Sequence, residues 1–334
     1  MEKILVVGPS WVGDMVMAQS LFKLLRQRHP GCTIDVLAPA WSLPILERMP
    51  EVRQGIVLGL GHGVFGIKER YRLGVSLRGE GYTRAIVLPR SWKSALVPFF
   101  ANIPLRTGFL GEQRYGLLND RRKLDKKRLN QTVKRFVALG LEPQEAIEAV
   151  TPENPGLQAD AANLQRVMQQ LALAADKPAV ALMPGAEYGP AKQWPLTNFR
   201  QLAEALAAKG FQIWVLGGPK DQPAGAEICA GNHPHIHNLC GKTQLADVVD
   251  LLHHAQHAVT NDSGLMHVAA AVGTRVHAIY GSSSPEFTPP LTANKHIHWL
   301  QLECSPCFKR TCPLGHLDCL NKIAVDIPLK EIVG

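Results

Sequence analysis

The chain lacks long hydrophobic runs. None of its 334 residues lies in a stretch that approaches the ~20 apolar residues of a membrane-spanning helix. The apolar run Ile4–Val7 is ended at once by Gly8 and Pro9, so it is too short for a signal-peptide core and indicates a first β-strand. Aromatic residues make up only 6% of the chain, and no recognised nucleic-acid-binding module is visible. These absences favour a cytoplasmic protein and argue against a nucleic-acid-binding one.

Familiar nucleotide-binding and metal-binding signatures are also missing. The segment Gly8–Asp14 follows the first strand, but it has neither the G-x-G-x-x-G spacing of a dinucleotide site nor the G-x-x-x-x-G-K-[ST] pattern of a P-loop. The chain contains no D-x-D triplet, the carboxylate pair that commonly holds a divalent ion on a nucleotide sugar. Dinucleotide binding, P-loop chemistry and metal-dependent sugar transfer are therefore disfavoured.

What is present indicates two α/β domains. A chain of 334 residues with 46% hydrophobic and 19% charged residues has ordinary globular composition and room for roughly two domains. Short apolar runs alternate with helical patterns, which is typical of βαβ units and a parallel sheet. The Pro- and Gly-containing segment Thr151–Gly156 interrupts the alternation, which restarts after it. We therefore predict doubly wound domains at 1–155 and 156–334, with ligand sites at the carboxyl ends of their strands.

Positive charge is concentrated in the first half of the chain. Residues 1–150 carry a net charge of +10 and residues 151–334 a net charge of −2, against +8 for the whole. The stretch from Arg106 to Arg135 alone has a net charge of +7 and raises the local concentration of anions. Nucleic acid, an anionic membrane surface and a phosphorylated substrate are the candidate partners, and a solvated helical face is the structural alternative.

Three loops that follow predicted strands carry candidate chemistry. Asp14 opens the first helix, where it is either an N-cap or a general base. Lys192 lies in a Gly-rich loop, where it either neutralises a phosphate or belongs to a plain surface loop. In Thr260–His267 the small Ser263 and Gly264 allow an anion to approach the free amides of a helix N-terminus, although Asp262 could be a cap and His267 a core residue.

Four of the seven cysteines lie within sixteen residues near the C-terminus. A tetrahedral zinc site uses ligands of this kind, with His316 as an alternative to one sulfur, but the spacing matches no standard zinc pattern. Reduced structural thiols are the other interpretation, and disulfides are not expected in the cytoplasm. The possible ligands are Cys304, Cys307, Cys312 and Cys319.

Several segments together resemble the bacterial ADP-heptose:lipopolysaccharide heptosyltransferases of glycosyltransferase family 9, in particular the members that add the second heptose. The similarity extends over most of the chain, and a match in many segments is far more specific than any single motif. The segments are Gly8–Asp14, Arg114–Asp120, Pro184–Pro195, Thr260–His267 and Ser283–Pro290.

This resemblance implies the GT-B fold, in which two Rossmann-like domains with doubly wound parallel sheets face each other across a cleft. It implies that domain 1–155 binds the lipid acceptor, and that domain 156–334, with its Cys-rich end, binds ADP-heptose. The family's reaction inverts the anomeric centre and requires no metal or other cofactor. The implied activity is transfer of L-glycero-D-manno-heptose to the first heptose of the Kdo-lipid A inner core. Transfer to Kdo, or a nucleotide-sugar epimerase of the same fold, is the alternative.

Individual roles follow from the same resemblance. Asp14 matches the general base, Lys192 a lysine near the phosphates, and Thr243 a contact to the adenosine. The implied nucleotide-sugar-binding residues are Gly185, Lys192, Thr243, Asp262, Ser263, Gly264 and His267. Basic residues that could hold the phosphates and carboxylates of the acceptor are Arg90, Lys93, Arg106 and Arg114.

The expected acceptor, a phosphorylated heptosyl-Kdo-lipid A, determines the other expected partners. We expect a peripheral protein at the inner face of the inner membrane, where the basic N-terminal domain contacts the cytoplasmic leaflet. The motifs make nucleic acid an unexpected partner, and we expect a monomer.

Overall fold

The protein consists of two compact units, residues 1–156 and 157–334, in a computed structural model that describes residues 2–61 and 63–334. The division falls one residue beyond the predicted boundary at 155. Each unit contains one six-stranded sheet in which every strand pairs in parallel with its neighbours. The chain thus builds two separate α/β cores, as the alternation of apolar and helical segments predicts.

The sheet of the N-terminal unit has the strand order β3-β2-β1-β4-β5-β6. Its strands are β1 (Lys3–Val7), β2 (Thr33–Ala38), β3 (Val52–Val57), β4 (Arg84–Val87), β5 (Leu105–Phe109) and β6 (Asp120–Arg122). Its helices are α1 (Val12–Arg28), α2 (Leu43–Leu46), α3 (Ile67–Ser76), α4 (Leu96–Phe100) and α5 (Thr132–Ala138).

The central strands of this sheet are covered on both faces. In β1, the four residues Ile4–Val7 are all buried, which explains why the strand is a continuous apolar run rather than an alternating one. Helix α1 packs on α5 and buries Leu21, Phe22 and Leu25. Burial of a large apolar side chain contributes about 1.5–3 kcal/mol, so these contacts hold α1 firmly over the sheet.

The sheet of the C-terminal unit has the strand order β12-β11-β10-β7-β8-β9. Its strands are β7 (Ala179–Met183), β8 (Gln212–Val215), β9 (Ile236–Asn238), β10 (His257–Asn261), β11 (Arg275–Ile279) and β12 (Lys295–His298). Its helices are α6 (Ala161–Gln170), α7 (Leu196–Ala207), α8 (Gln222–Ile228), α9 (Leu245–His254), α10 (Gly264–Ala271), α11 (Asp318–Asn321) and α12 (Asp326–Val333).

The core of the C-terminal unit joins the sheet to its last two helices. Trp194 and Phe199 are fully buried and pack edge to face, with ring centroids 5.0 Å apart. The indole of Trp194 donates to the carbonyl of Ile323 at 3.0 Å, so the loop before α7 is fastened to the C-terminal segment. None of the described helices has the length and apolarity to cross a bilayer.

Candidate active site

Both sheets reverse their strand order at one point, and several of the predicted site residues follow the strands at that point. In the N-terminal sheet the reversal falls between β1 and β4, since β2 and β3 extend to one side and β5 and β6 to the other. Asp14 follows β1, and Arg90 and Lys93 follow β4. Because loops at such a point leave the sheet in opposite directions, they form a crevice at the carboxyl ends of the strands.

Asp14 is not the N-cap of α1. The helix begins at Val12, and its N-cap is Trp11, which makes no side-chain capping hydrogen bond. The Trp11 carbonyl accepts from the Met15 amide at 2.9 Å. Asp14 therefore lies in the first turn and is partly exposed, where the helix dipole favours its negative charge. A partly exposed carboxylate at the crevice of the sheet is accessible to a substrate hydroxyl.

The four basic candidates differ in what their side chains do. Arg90 is exposed, and its Nη2 makes a long contact of 3.4 Å to the Leu110 carbonyl. Lys93 is partly buried, and its Nζ donates to the Gly63 carbonyl at 2.8 Å. Arg106 donates from Nε to the Leu117 carbonyl at 2.7 Å, and burial lowers its pKa. Of these three, Arg90 is the most accessible to a ligand.

Arg114 is fully buried and holds loops together. Its guanidinium donates at 2.7–3.1 Å to the main-chain oxygens of Pro89, Ser91 and Phe109 and to the hydroxyl of Ser94. Burial is the main cause that lowers its pKa to about 10. These bonds tie the loop after β4 to the end of β5, so Arg114 positions the Arg90–Lys93 loop from beneath.

In the C-terminal sheet the strand order reverses between β7 and β10, and there Lys192 meets Asp262. Lys192 ends a 3₁₀ turn, Pro190–Lys192, in the loop after β7, and Asp262 immediately follows β10. The Lys192 Nζ lies 2.5 Å from Asp262 Oδ2, and both side chains are largely buried. A cation at this position adds positive potential where a crevice is expected to receive an anion.

Asn261 fixes the relative position of the two loops. Its side-chain oxygen accepts from the Trp194 amide at 2.9 Å, and its side-chain nitrogen donates to the Pro184 carbonyl at 2.6 Å. Since Asn261 is fully buried, both bonds are protected from water. Asn261, which directly precedes Asp262, thus bonds to main-chain atoms before and after Lys192, so the two loops that carry the ion pair are held in place.

Several buried polar atoms in the segments that follow β9, β10 and β11 have no hydrogen-bond partner within the described protein. They belong to residues that follow the strands at the same edge of the sheet, and buried polar atoms in proteins are normally hydrogen-bonded. A site that binds a polar ligand is expected to contain buried polar atoms of this kind, because the ligand supplies their hydrogen bonds. The atoms include Thr243 Oγ1, His267 Nδ1 and Ser283 Oγ.

Ser263 and Gly264 begin α10 as the sequence predicts. Ser263 is its N-cap but forms no side-chain capping bond, and its hydroxyl lies 3.4 Å from that of Thr260. The first amides of the eight-residue helix therefore point to the crevice edge without a capping side chain, a geometry suited to an anion.

His267 is buried inside α10, and burial lowers its pKa to about 4. In the unfolded chain it titrates near 6.5, so between these values acid protonates the unfolded state preferentially. Its contribution to stability is present above pH 6.5 and falls as the pH falls toward 4. We expect the unfolding free energy to drop between pH 7 and pH 5 by about 2 kcal/mol more in the natural protein than in His267→Gln.

Denaturant unfolding at the two pH values measures this difference. The exposed His253 provides the control, because His253→Gln should retain the full pH dependence. An identical pH dependence in His267→Gln and the natural protein would contradict a buried, neutral His267.

Two glycines of the β7 loop allow close packing. A Cβ on Gly185 would lie 2.8 Å from Asp221 Oδ1, and Asp221 in turn accepts from the Gly218 amide at 2.8 Å. Gly189 has φ +148°, and a Cβ there would lie 2.7 Å from the Arg310 carbonyl. The absence of a side chain at Gly185 therefore allows the loops after β7 and β8 to lie close together. The absence of a side chain at Gly189 allows the Cys-rich segment to lie against the β7 loop.

The Cys-rich segment, residues 304–319, packs against the Lys192 loop. The Ala191 amide donates to the Arg310 carbonyl at 3.0 Å, and the Tyr188 hydroxyl donates to the Phe308 carbonyl at 2.8 Å. Both Lys192 and Arg310 lie over the Tyr188 ring, at 5.1 and 5.4 Å from its centroid. The segment therefore positions the loop that carries Lys192.

The four cysteines and His316 line one small cavity of about 20 Å³. Backbone amides of residues 314–317, the largest contribution coming from Leu317, lower the pKa of Cys312, which favours its thiolate. Across the described residues, only His277, His298 and Glu331 bring three potential ligand atoms within 4.8 Å of one another, so no three of the cysteine sulfurs do.

A groove of about 510 Å³ lies at the amino ends of strands β10 and β11 in the C-terminal sheet. It is lined by the starts of β10 and β11, His257 and Arg275, together with neighbouring loop residues. Because open parallel sheets bind ligands at the carboxyl ends of their strands, the nucleotide is not expected in this groove.

Comparison with known proteins identifies the family. The family model "Glycosyltransferase family 9 (heptosyltransferase)" matches residues 70–318. The chain belongs to glycosyltransferase family 9. It is 50% identical over 303 residues to lipopolysaccharide heptosyltransferase 2 of Salmonella typhimurium, covering 88% of this chain and 87% of that one. It is 47% identical over 301 residues to lipooligosaccharide heptosyltransferase 2 of Haemophilus influenzae, covering 86% of each chain.

The solved structure of E. coli ADP-heptose LPS heptosyltransferase II has the same fold, with a TM-score of 0.89 and 43% sequence identity over 99% of this chain and 97% of that one. The predicted GT-B class, with two parallel-sheet α/β domains, is confirmed. The prediction of a glycosyltransferase of the heptosyltransferase family is confirmed as well.

Sequence reasoning did not single out four further polar residues of the C-terminal unit. Asn261 and Asp221 brace the loops, Ser283 contributes an orphaned hydroxyl, and the Thr288 hydroxyl lies 3.5 Å from Asp262 Oδ1. Asn261 is the last residue of β10, Asp221 lies in the segment after β8, and Ser283 and Thr288 lie in the segment after β11. A position at or beyond the carboxyl end of a strand is the signal that could have identified them.

Proposed function

We propose that the protein transfers L-glycero-D-manno-heptose from ADP-heptose to the first heptose of the Kdo-lipid A inner core. Its relatives of about 50% identity are named lipopolysaccharide heptosyltransferase 2. The observation that carries the nucleotide-sugar site is the Lys192–Asp262 pair at the reversal of the C-terminal sheet. Thr243, Ser263, Gly264 and His267 complete this site in the proposal, with Gly185 shaping the loop.

The proposed reaction is a direct displacement at the anomeric carbon. The Asp14 carboxylate takes the proton of the acceptor hydroxyl as its oxygen attacks, and the bond to the diphosphate breaks on the opposite face, which inverts the anomeric centre. Lys192 and the amides at the start of α10 neutralise the charge that develops on the departing ADP. The positive groups come from the protein, so the proposal requires no catalytic metal.

The N-terminal unit is the proposed acceptor domain. Its exposed Arg90, together with Lys93, can hold the acceptor's anionic groups beside Asp14. Part of the basic stretch is neutralised internally, since Arg122 pairs with Asp120 and Arg128 with Glu148. Exposed cations remain at Arg121, Lys123, Lys126 and Lys127.

Exposed apolar side chains of the same unit support contact with a lipid. They surround the ends of α3 and α4, and large exposed apolar groups commonly mark interaction sites. We propose that this surface meets the cytoplasmic leaflet of the inner membrane, and that the protein acts there as a peripheral monomer without nucleic acid. The side chains are Val64, Phe65, Ile67, Tyr71 and Phe99.

An acceptor comparison tests the proposed function. ADP-heptose is supplied with either mono-heptosylated or unheptosylated Kdo-lipid A, and heptose transfer is followed by mass spectrometry. We expect product only with the mono-heptosylated acceptor. Preference for the unheptosylated acceptor would indicate transfer to Kdo instead, and conversion of the nucleotide sugar without any acceptor would indicate an epimerase.

We also propose that the cysteine cavity holds a structural zinc ion, for which Cys304, Cys307, Cys312 and Cys319 are the ligands and His316 an alternative. Thiolates are preferred zinc ligands, and the cavity has room for one ion. Zinc bonds of about 2.3 Å require the sulfurs to move together, so binding would tighten the segment that holds the Lys192 loop.

Removal of two of these thiols is expected to loosen that loop. In Cys304→Ser/Cys307→Ser we expect one zinc per chain to be lost and the KM for ADP-heptose to rise at least about tenfold. Elemental analysis of protein purified without added metal, with steady-state kinetics, measures both. Cys32→Ser, which changes a buried thiol of the other unit, is the control. Equal zinc content in the double variant and the natural protein would reject this site.

A further inference from the structure

Outside the nucleotide-sugar site, four histidines and a glutamate form a cluster. The histidines lie on three neighbouring strands, and the glutamate lies on α12, the last helix. In the parallel register of β11 and β12, residue 277 pairs with residue 296, and residue 298 lies two positions farther on the same face. The cluster consists of His257, His277, His296, His298 and Glu331.

Three imidazole nitrogens converge on one carboxylate oxygen. Glu331 Oε2 lies 3.2 Å from His277 Nδ1, 3.2 Å from His296 Nδ1 and 3.4 Å from His298 Nε2. The ring of His277 is nearly parallel to the other two, at interplanar angles of 5° and 6°. Ligand atoms bound at 2.0–2.2 Å to a tetrahedral ion lie about 3.3–3.6 Å apart, so the separations from the carboxylate oxygen are close to those of a metal site.

One buried nitrogen of this cluster has no hydrogen-bond partner among the described residues. The side chain of His298 is only 4% exposed, and its Nε2 is buried without a hydrogen-bond partner in the described protein. His277 is fully buried as well, and its Nδ1 lies 3.2 Å from Glu331 Oε2. Neutral imidazoles offer lone pairs, and an ion among them would satisfy the orphaned nitrogen.

His257 provides the outer contact that ligating histidines usually have. Its Nδ1 lies 3.0 Å from His277 Nε2, the nitrogen that faces away from Glu331. With His277 Nδ1 on an ion, its Nε2–H donates to His257 Nδ1, which sets the tautomer and the orientation of the ring.

We propose that His277, His298 and Glu331, whose ligand atoms lie within 4.8 Å of one another, bind one divalent transition-metal ion, and that His296 moves in from its contact with Glu331 as a fourth ligand. Imidazole and carboxylate ligands suit zinc and its neighbours, and no thiolate takes part. None of these residues belongs to the nucleotide-sugar site, and Glu331 is the only one on a helix. The ion is structural: it joins α12 to the edge of the sheet at β11 and β12. Partial exposure of His296 and Glu331, 39% and 32% at their side chains, leaves a route of entry.

Zinc titration of metal-free, untagged full-length protein tests the proposal. We expect isothermal titration calorimetry to show a saturable site whose affinity falls at least about tenfold in Glu331→Gln, with a zinc-dependent rise in Tm that this variant loses. Glu331→Gln preserves size at a partly exposed position, so it should fold. Glu227→Gln, an exposed glutamate on α8, is the matched control and should keep both effects.

Cobalt distinguishes this site from the cysteine cavity. Thiolate-bound Co²⁺ absorbs strongly in the near ultraviolet, whereas imidazole- and carboxylate-bound Co²⁺ shows only weaker visible bands. Cys304→Ser/Cys307→Ser should retain the visible bands, and its combination with Glu331→Gln should lose them. Equal zinc affinity in Glu331→Gln and the natural protein would overturn the proposal, as would the absence of saturable binding below millimolar zinc. Neither outcome would affect the proposed transfer reaction, whose assay is separate.

Discussion

Asp14→Asn is expected to lower the turnover of heptose transfer by about 10²–10⁴-fold while ADP-heptose binding stays within about twofold. Asparagine keeps the size of the side chain but cannot accept the proton of the attacking hydroxyl. Since Asp14 lies in the first turn of α1, in the unit that does not carry Lys192, its loss should leave nucleotide affinity unchanged. Single-turnover kinetics and calorimetric titration with ADP-heptose separate the two quantities.

The matched control for this experiment is Glu69→Gln, which neutralises an exposed carboxylate on α3 of the same unit. It should transfer heptose at the normal rate. Near-normal turnover by Asp14→Asn would show that another group removes the proton. A large loss of ADP-heptose affinity in that variant would instead show that Asp14 serves binding.

Lys192→Gln is expected to lower kcat/KM by about 10²–10³-fold and to weaken binding of ADP as well. The ammonium group would neutralise charge on the departing diphosphate, and its low exposure in the Asp262 pair makes that interaction stronger than in water. Removal of one partner from a buried ion pair also costs about 3–5 kcal/mol of stability. Thermal unfolding should therefore accompany the kinetics, which are measured where the variant is folded.

Lys220→Gln is the control for charge near this loop. Lys220 is 84% exposed and pairs with Glu187 across the surface, an interaction that contributes little to stability. We expect its kinetics to match those of the natural protein. If Lys192→Gln remained folded and retained kcat/KM within about threefold, Lys192 would have no part in neutralising the diphosphate.

Local sequence patterns were sufficient to predict most of the central strands. β1 and β7 coincide with buried apolar runs that end abruptly at Gly8 and Pro184. The edge strands β6 and β9 have three residues each, and their side chains are partly polar and partly exposed. They are therefore too short and too polar to show the alternation of apolar and polar residues by which a strand is predicted. Such strands form because the neighbouring strand offers its hydrogen bonds.

The roles of single charged residues were harder to predict, because they depend on burial. Arg114 looked like a ligand for the acceptor, yet its guanidinium is enclosed by main-chain oxygens. The spacing of Asp14 by itself favours an N-cap, and only the start of α1 at Val12 places it inside the first turn. Composition and spacing are the same for a buried and an exposed arginine, so only packing distinguishes them.

The sequence by itself determined the family, the fold class and the loops that carry the candidate site. The family depends on several short segments taken together, such as Gly8–Asp14 and Thr260–His267, and the fold class on the alternation of apolar and helical segments along the chain. Only the tertiary structure decided that Lys192 pairs with Asp262, seventy residues away, and that Glu331 meets three histidines of β11 and β12. The physical reason is that parallel register and helix packing bring together residues whose separation along the chain carries no signal.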